Sequence, residues 1–245
     1  MYNREGGASA PLAAASGEGE QPRVAAGSLG GNLINAILAV VCIVIGYLAG
    51  SIPTGYLVAR ARGVDIQKVG SGNIGATNVL RSVGLIPGIL VALMDPLKGF
   101  LATLLPQLIG VGAWGVAFTG LATVLGNNFN VFLKLRGGKG IATSLGAFLA
   151  IDPWITLLSA VIGIITIALG RYVSLGSLIG LLAAPLLILA SGNFNFAYLS
   201  LAVALALLAF VRHHENIRRL AQGTERRLGE AARNPHEKAE TAKED

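Results

Sequence analysis

Seven long apolar segments, separated by short polar connections, most limit how this chain can fold. A membrane-spanning helix needs about 20 apolar residues and satisfies its backbone polar groups internally, because lipid offers them no partners. The fourth segment is short for a complete span, so we expect it to be tilted or partly re-entrant. A further short helix, near residues 73–83, is expected at the membrane interface. The segments cover about residues 33–53, 84–110, 113–133, 139–151, 154–170, 172–191 and 194–211, and they predict an all-α integral membrane protein with seven transmembrane helices.

The composition agrees with this fold class and limits the chemistry. Hydrophobic residues make up 53% of the 245 residues and charged residues 13%, with a mean hydropathy of +0.64, which is typical of a membrane protein. The single cysteine, Cys42, excludes an intrachain disulfide and a cysteine-based metal centre. Only three histidines are present, two of them adjacent, which argues against a multi-histidine metal site, and no carboxylate cluster accompanies the polar motifs. We therefore expect neither a metal nor a cofactor.

The distribution of the 19 basic residues predicts the topology. Four lie between the first and second segments, three between the third and fourth, one between the fifth and sixth, and eight after the seventh. The connections near residues 111, 152 and 192 carry none. Seven crossings put every basic connection on one side, and the positive-inside rule makes that side cytoplasmic. The N-terminus is then outside and the C-terminus inside, and the net charge of +6 reflects topology and contact with membrane lipids rather than nucleic acid.

Polar segments flank the apolar region. Residues 1–32 are rich in Ala, Gly, Ser, Glu and Pro, which predicts a flexible tail that is too polar for a signal peptide. Residues 230–245 predict a charged cytoplasmic tail. The seven-helix membrane domain is expected to cover residues 33–229.

Three polar motifs interrupt the apolar pattern. The first is the glycine-rich segment of residues 68–81, and the second is the basic loop of residues 136–140. The third, residues 213–220, follows the last apolar segment. Glycine amides beside Lys and Arg form a concave surface suited to phosphate. The motifs therefore predict an anion site at one membrane face.

Two charged residues lie inside the second apolar segment. Asp95 and Lys98 are three residues apart, and charge inside a membrane has to face protein or water, so we expect them to meet. A structural ion pair is one interpretation, and a group that lines an active-site cleft is the other. The Gly-x-x-x-Gly spacings of residues 46–50 and 176–180 predict helix-packing faces.

The motifs together resemble the PlsY family of bacterial membrane enzymes, which acylate glycerol 3-phosphate with acyl phosphate. The resemblance covers about residues 33–229 and implies a seven-helix membrane fold with its active site on the cytoplasmic side. It is carried by residues 51–56 (Ser-Ile-Pro-Thr-Gly-Tyr), 70–78 (Gly-Ser-Gly-Asn-Ile-Gly-Ala-Thr-Asn), 137–143 (Gly-Gly-Lys-Gly-Ile-Ala-Thr), 171–174 (Arg-Tyr-Val-Ser) and 213–225 (His-x-Glu-Asn-Ile-x-Arg-Leu-x-x-Gly-Thr-Glu).

The resemblance implies a transfer of the acyl group from acyl phosphate to the 1-hydroxyl of glycerol 3-phosphate, giving lysophosphatidate and phosphate. This is the first acylation of phospholipid synthesis, at the bacterial plasma membrane. An acyl phosphate is already activated, so no acyl-enzyme is required. The protein has to bind two phosphorylated substrates, align a hydroxyl with the acyl carbonyl and stabilise charge on the phosphate.

The residues expected to carry this reaction form two groups. Ser71, His213 and Asn216 are candidate catalytic residues, with His213 and Asn216 on one helix face. His213 would accept the hydroxyl proton or orient the substrate, and a phosphate oxygen that takes the proton is the alternative to a protein base. Lys139 and Arg81 would supply positive charge to phosphate, and glycine amides would donate to it. The substrate- and phosphate-binding candidates are Gly70, Gly72, Asn73, Arg81, Gly137, Gly138, Lys139, Gly140 and Glu225.

The chain departs from the family pattern before the second motif. The family pattern there reads Gly-His-x-Phe-Pro-x-Phe, whereas Asn127 and Asn130 stand at the His and Pro positions of this chain. An amide can replace imidazole in hydrogen bonding but not in proton transfer near neutral pH. The departure matters only if that histidine transfers a proton.

Two other classes of protein have to be weighed against an acyltransferase. A transporter of phosphorylated metabolites would place sites near the middle of the membrane and contain an internal repeat, and no convincing repeat is present. A scaffold whose basic loops contact anionic lipid leaves Ser71, Asn73 and Asn216 unexplained.

Overall fold

The computed structural model describes residues 26–192 and 194–230, and the regular elements in these two ranges are all helical. A short 3-10 helix covers Val131–Leu133. The α-helices of the described ranges are α1 Ala26–Gly50, α2 Thr54–Arg60, α3 Ala76–Ser82, α4 Leu85–Leu108, α5 Ala113–Asn128, α6 Ile141–Ile151, α7 Pro153–Gly170, α8 Val173–Ala190, α9 Phe196–Arg212 and α10 His214–Ala221.

Five helical stretches of the described chain are long and apolar enough to cross a membrane by themselves. A sixth is reached only if α9 and α10, which are bent by 62° at His213, count as one span. The expected short fourth segment is α6, with 11 residues. The integral membrane fold is thus confirmed, and the count of seven spans stays a prediction. The five stretches are Gly31–Arg60, Leu85–Leu108, Ala113–Leu133, Pro153–Gly170 and Val173–Ala190.

The predicted boundaries agree with the helices except at the N-terminal side. Helix α1 begins at Ala26, before the predicted boundary near residue 33, so residues 26–32 are helical rather than part of the tail. Helix α3 matches the short helix expected near residues 73–83. The predicted tail residues 1–25 and 231–245 lie outside the described residues.

Close backbone contacts between helices depend on glycine. A Cβ on Gly50 of α1 would lie 1.9 Å from the Thr123 carbonyl oxygen of α5, and one on Gly146 of α6 would lie 1.9 Å from the Pro96 oxygen of α4. Gly176 of α8 meets the backbone of α7 in the same way. The helix-packing faces predicted from the Gly-x-x-x-Gly spacings are therefore confirmed.

A buried ion pair on α4 contacts the α1–α2 turn, the start of α2 and the end of α5. The Lys98 ammonium lies 2.8 Å from Asp95 Oδ1 and donates to the Ile52 carbonyl at 3.1 Å and to Asn127 Oδ1 at 2.8 Å. The Thr54 hydroxyl at the start of α2 donates to Asp95. The expected ion pair is confirmed, and its contacts tie the α1–α2 turn, α4 and α5 together.

The apolar core lies between α5, α8 and α9. Val124, Leu181, Leu201 and Leu205 are fully buried there, whereas large apolar side chains such as Leu169 cover the outside of the bundle. An apolar exterior of this kind suits lipid contact. The polar loops lie at the ends of the helices, outside this apolar region.

We expect Gly50→Ala to lower the unfolding temperature of the purified protein in detergent. The added methyl group would overlap the Thr123 backbone, and overpacking of this kind costs about 1–3 kcal/mol. Gly31→Ala in the same helix is the matched control, because a Cβ there meets no atom within 4 Å. An unchanged unfolding temperature for Gly50→Ala would contradict the close α1–α5 contact.

Candidate active site

The three polar motifs meet at one end of the helix bundle. The first motif runs from the glycine-rich loop (residues 61–75) into α3, and the second ends the lysine loop (residues 129–140). The third covers His213 and most of α10, and the C-terminal segment (residues 222–230) follows it. Gln67 of the glycine-rich loop donates to the Arg136 carbonyl of the lysine loop at 3.0 Å. Lys139 hydrogen bonds to Asn216 of α10, and Arg226 lies 3.5 Å from the Gly70 carbonyl oxygen. The loops thus form a single polar surface.

Asn78 holds the glycine-rich loop in shape. Its buried amide donates to the carbonyls of Val69 and Asn73 at 3.1 and 2.9 Å, and its Oδ1 accepts from the Ser71 amide at 3.0 Å. Gly70 has φ +61°, a conformation that side chains rarely adopt. The sequence motif contains Asn78, but its part as the centre of the loop was not foreseen.

The remaining candidates of this loop hydrogen bond within it. Ser71 Oγ accepts from the Asn73 amide at 3.4 Å, and Asn73 Oδ1 accepts from the Gly75 amide at 2.8 Å. Gly72 has φ +70° and shapes the turn between them. The Ser71 side chain is exposed, so its hydroxyl proton is available to a ligand.

The lysine loop packs against the end of α5. The Gly137 and Gly138 amides donate to the carbonyls of Asn128 and Asn127 at 3.2 and 2.9 Å, so these two amides have partners within the protein. The expected part of the two glycines in phosphate binding stays a prediction. A Cβ on Gly137 would lie 2.0 Å from the Asn127 carbonyl oxygen. The glycines therefore permit a close approach between loop and helix. Gly140, with φ +79°, begins the turn into α6.

Arg212 fastens the other side of the lysine loop. This last residue of α9 donates to the carbonyls of Gly138 and Gly137 at 3.0 and 3.4 Å and stacks over Phe129 at 5.4 Å. Sequence reasoning missed Arg212, since it lies one residue before the third motif and looked like part of the general basic excess.

A chain of polar contacts links Lys139 to Glu225. The Lys139 ammonium donates to Asn216 Oδ1, and Asn216 Nδ2 donates to Glu225 Oε1 at 2.6 Å. Glu225 also accepts from Ser174 Oγ and Arg219 Nε, each at 2.7 Å. The structure thus brings together three of the predicted site residues, Lys139, Asn216 and Glu225.

Partial burial shifts the ionisation of these groups. Burial lowers the pKa of Lys139 to about 8, although the Glu225 carboxylate opposes this change. Burial alone would raise the pKa of Glu225, but hydrogen bonds from Ser174, Arg219 and Asn216 lower it below its ordinary value. Near neutral pH the site therefore holds a carboxylate that is already satisfied and an ammonium that still has donors to offer.

His213 is buried beside this network in its neutral form. Its Nδ1 lies 2.8 Å from the Ala209 carbonyl oxygen, which can only accept, so Nδ1 carries the proton and Nε2 has a free lone pair. Burial, together with the positive charge of Lys139, lowers the pKa of His213 to about 4. The imidazole can therefore accept a hydrogen bond at Nε2 across the neutral pH range.

Arg81 reaches the same surface from α3. Its Nη2 donates to the Arg227 carbonyl at 3.1 Å, which connects α3 to the C-terminal segment. Burial and the nearby charge of Arg226 lower the pKa of Arg81, but a guanidinium remains charged at any physiological pH. The hydrogen bonds described give Arg81 no direct contact with Lys139 or His213.

The fold and this surface define a class of protein: an integral membrane protein that gathers basic and hydrogen-bonding side chains at one end of its helices. The family model for glycerol-3-phosphate acyltransferase matches residues 40–223. The chain therefore belongs to the glycerol-3-phosphate acyltransferase family and is a membrane acyltransferase.

Relatives and solved structures agree with this assignment. Glycerol-3-phosphate acyltransferase of Thermus thermophilus is 50% identical over 79% of this chain and 97% of its own length. Glycerol-3-phosphate acyltransferase 1 of Deinococcus radiodurans is 47% identical over 79% of this chain and 98% of its own length. The crystal structure of PlsY, an integral membrane glycerol 3-phosphate acyltransferase, in its glycerol 3-phosphate form is 41% identical, covers 78% of this chain and 96% of its own, and superimposes with a TM-score of 0.75. Its lysophosphatidic acid form gives a TM-score of 0.73.

We expect the affinity of the purified protein for glycerol 3-phosphate or for acyl phosphate, whichever Lys139 contacts, to fall as the pH rises through about 8, because Lys139 then loses its charge. A phosphate monoester is a dianion throughout this range, since its second pKa is near 6. Loss of one charge-assisted contact should weaken binding about tenfold between pH 7.5 and 9.5, as measured by titration calorimetry. Lys139→Arg stays charged and should bind equally at both pH values. The same fall in Lys139→Arg would exclude Lys139 as the cause.

Proposed function

We propose that this protein transfers an acyl group from acyl phosphate to the 1-hydroxyl of glycerol 3-phosphate, giving lysophosphatidate and inorganic phosphate. The observation that supports this most directly is the joining of Lys139, Asn216, Glu225 and neutral His213 on one polar surface. The solved structures of PlsY, which hold glycerol 3-phosphate and lysophosphatidic acid, support the same acceptor and product. The reaction would be the first acylation of phospholipid synthesis.

The chemistry asks for positioning rather than for a protein nucleophile. The glycerol hydroxyl oxygen attacks the acyl carbonyl carbon, the bond from that carbon to the phosphate oxygen breaks, and phosphate leaves with its electron pair. Lys139 and Arg81 would stabilise the phosphates by charge-assisted hydrogen bonds. Ser71 and Asn73 would donate to phosphate or carbonyl oxygens from the glycine-rich loop. Asn216 accepts a hydrogen bond from Lys139 and donates one to Glu225. Asn216 and Glu225 would therefore hold Lys139 in place.

The proton of the hydroxyl has two possible acceptors, and the environment of His213 favours the phosphate. A histidine with a pKa of about 4 is a weak base near neutral pH, whereas a phosphate oxygen with a second pKa near 6 is a stronger one. His213 Nε2 would accept a hydrogen bond from the hydroxyl and so orient it. The departing phosphate would take the proton.

Contact between the loops supports the predicted topology of seven spans. The lysine loop and α10 touch through Lys139 and Asn216, so both lie on the same side of the membrane. Helices α6, α7, α8 and α9 lie between the lysine loop and α10. If only α7, α8 and α9 crossed the membrane, three crossings would put the lysine loop and α10 on opposite sides. Helix α6, roughly 16 Å long at 1.5 Å per residue, has to supply the fourth crossing with help from its flanking turns. The N-terminus is then outside and the active site faces the cytoplasm of a bacterial plasma membrane.

The proposed reaction is tested by incubating the purified protein with acyl phosphate and glycerol 3-phosphate and following the two products. Lysophosphatidate and inorganic phosphate should appear in equal amounts. A transporter of phosphorylated metabolites would form neither, and a protein that uses another acyl donor would form lysophosphatidate only when that donor is supplied. Absence of product with acyl phosphate would overturn the proposed donor.

Variants of His213 in the same assay distinguish a hydrogen-bond acceptor from a general base. We expect His213→Asn to keep much of the turnover, because an amide oxygen can still accept a hydrogen bond, and the wild type to have no acidic limb near pH 6.5. His213→Leu, which accepts nothing, is the paired variant and should be the slower of the two. A loss of about 10²–10⁴-fold in both variants would instead assign His213 as the general base.

The topology is tested by labelling single cysteines with a membrane-impermeant reagent in a Cys42→Ser background. Gly112→Cys should be labelled from outside, whereas Arg136→Cys and Gln222→Cys should react only after the cytoplasmic side is opened. Labelling of positions 112 and 136 from the same side would contradict the proposed crossings.

A further inference from the structure

The C-terminal segment has no helical structure of its own after α10, yet its residues contact several other elements. Glu225 accepts from Ser174, at the start of α8, and the Leu228 amide donates to the Arg171 carbonyl at 2.6 Å. The Arg227 side chain stacks over Tyr172 at 5.6 Å. These contacts hold the segment across the polar end of the bundle and fix where its remaining side chains lie.

Like its neighbour Glu225, Arg226 turns inward from this segment. It is half-buried, and its Nη2 reaches the Gly70 carbonyl oxygen of the glycine-rich loop at 3.5 Å. Its Nη1 is buried, and no residue in the described ranges provides a hydrogen-bond partner for it. A buried cationic donor without an acceptor is strongly unfavourable, so the position favours an anion.

Arg81 lies close enough to Arg226 for the two charges to oppose each other. Burial is the largest cause of the lowered pKa of Arg81, and the charge of Arg226 comes next, whereas Glu225 and Glu230 act in the opposite direction. Neither guanidinium has a carboxylate within 4 Å among the described ion pairs. Arg81 instead donates to a backbone carbonyl, that of Arg227. Like charges without an intervening carboxylate are a common way to build a phosphate site.

We propose that Arg226 is a substrate-binding residue, which with Arg81 and the glycine-rich loop holds the phosphate group of one of the two phosphorylated substrates. Lys139 would contact the other phosphate. This assignment rests on the proposed function, because the reaction brings two phosphate groups to one surface. The chemistry that the pair recognises is a phosphate with at least two free oxygens, and either acyl phosphate or glycerol 3-phosphate supplies it.

The test compares Arg226→Gln and Arg226→Lys with the wild type. Arg226→Gln should raise the KM of one substrate, and the Kd for inorganic phosphate in titration calorimetry, by about tenfold or more, since a charged donor is lost. The substrate whose KM rises identifies which phosphate Arg226 holds. Arg226→Lys keeps the charge but loses the second nitrogen, so it should recover only part of the affinity.

Arg218→Gln is the matched control. Arg218 lies on α10, is exposed, and its replacement removes the same charge, so it should bind phosphate and turn over like the wild type. The proposal is overturned if Arg226→Gln has the same phosphate affinity and the same two KM values as Arg218→Gln. If Arg226→Gln does not fold, the comparison is made with Arg226→Lys, where wild-type phosphate affinity would overturn the proposal.

The calorimetric measurement separates this proposal from the proposed reaction. A wild type that forms no lysophosphatidate would refute the reaction, but inorganic phosphate binding would still report on Arg226. Conversely, normal turnover with an Arg226→Gln variant that binds phosphate normally would refute the role of Arg226 alone.

Discussion

The Lys98 ammonium holds three parts of the helix bundle in contact, and the position of the lysine loop depends on it. Lipid offers no acceptors, so all of its donors have to be satisfied by protein, here by Asp95, the Ile52 carbonyl and Asn127. Removing one partner of such a buried set leaves an uncompensated charge, which costs about 3–5 kcal/mol. The Asn127 carbonyl in turn accepts from the Gly138 amide, one residue before Lys139. A charge pair inside the membrane thereby fixes the geometry of a loop at its surface.

The contacts of Asn127 explain how the chain can depart from the PlsY family pattern at this position. Its Oδ1 is an acceptor for Lys98 at 2.8 Å, and its amide nitrogen lies against Gly138. A histidine here could accept from the ammonium only as a neutral ring, because an imidazolium would be repelled by Lys98. Both residues would therefore work as hydrogen-bond acceptors, and replacement by asparagine preserves that role. The position has a structural connection to the site without supplying a proton.

Much of the fold was predicted from the residue pattern, and the parts that the pattern missed have two physical explanations. Apolar segments, the Asp95–Lys98 pair and the glycine packing faces are local signals that lipid and helix geometry impose. The partners of the Gly137 and Gly138 amides depend on how the loop meets α5, which no local pattern encodes. Arg212 and Arg226 were hidden for another reason: in a basic tail every arginine looks like a topology signal. Only their contacts with loops that are distant in the sequence distinguish Arg212 and Arg226 from the other basic residues.

The pKa values of Lys139 and His213 are both lowered chiefly by burial, and the proposed substrates would change only the smaller electrostatic contribution. Both groups are partly buried among cations, and the charge of Lys139 itself disfavours protonation of His213. A phosphate dianion beside Lys139 favours its ammonium form and screens that charge from the imidazole. Substrate binding would therefore weaken only this contribution, while burial, the larger cause, continues to lower the pKa of His213. The imidazole would thus stay neutral near pH 7 and able to accept a hydrogen bond from the hydroxyl at Nε2 when both phosphates are bound.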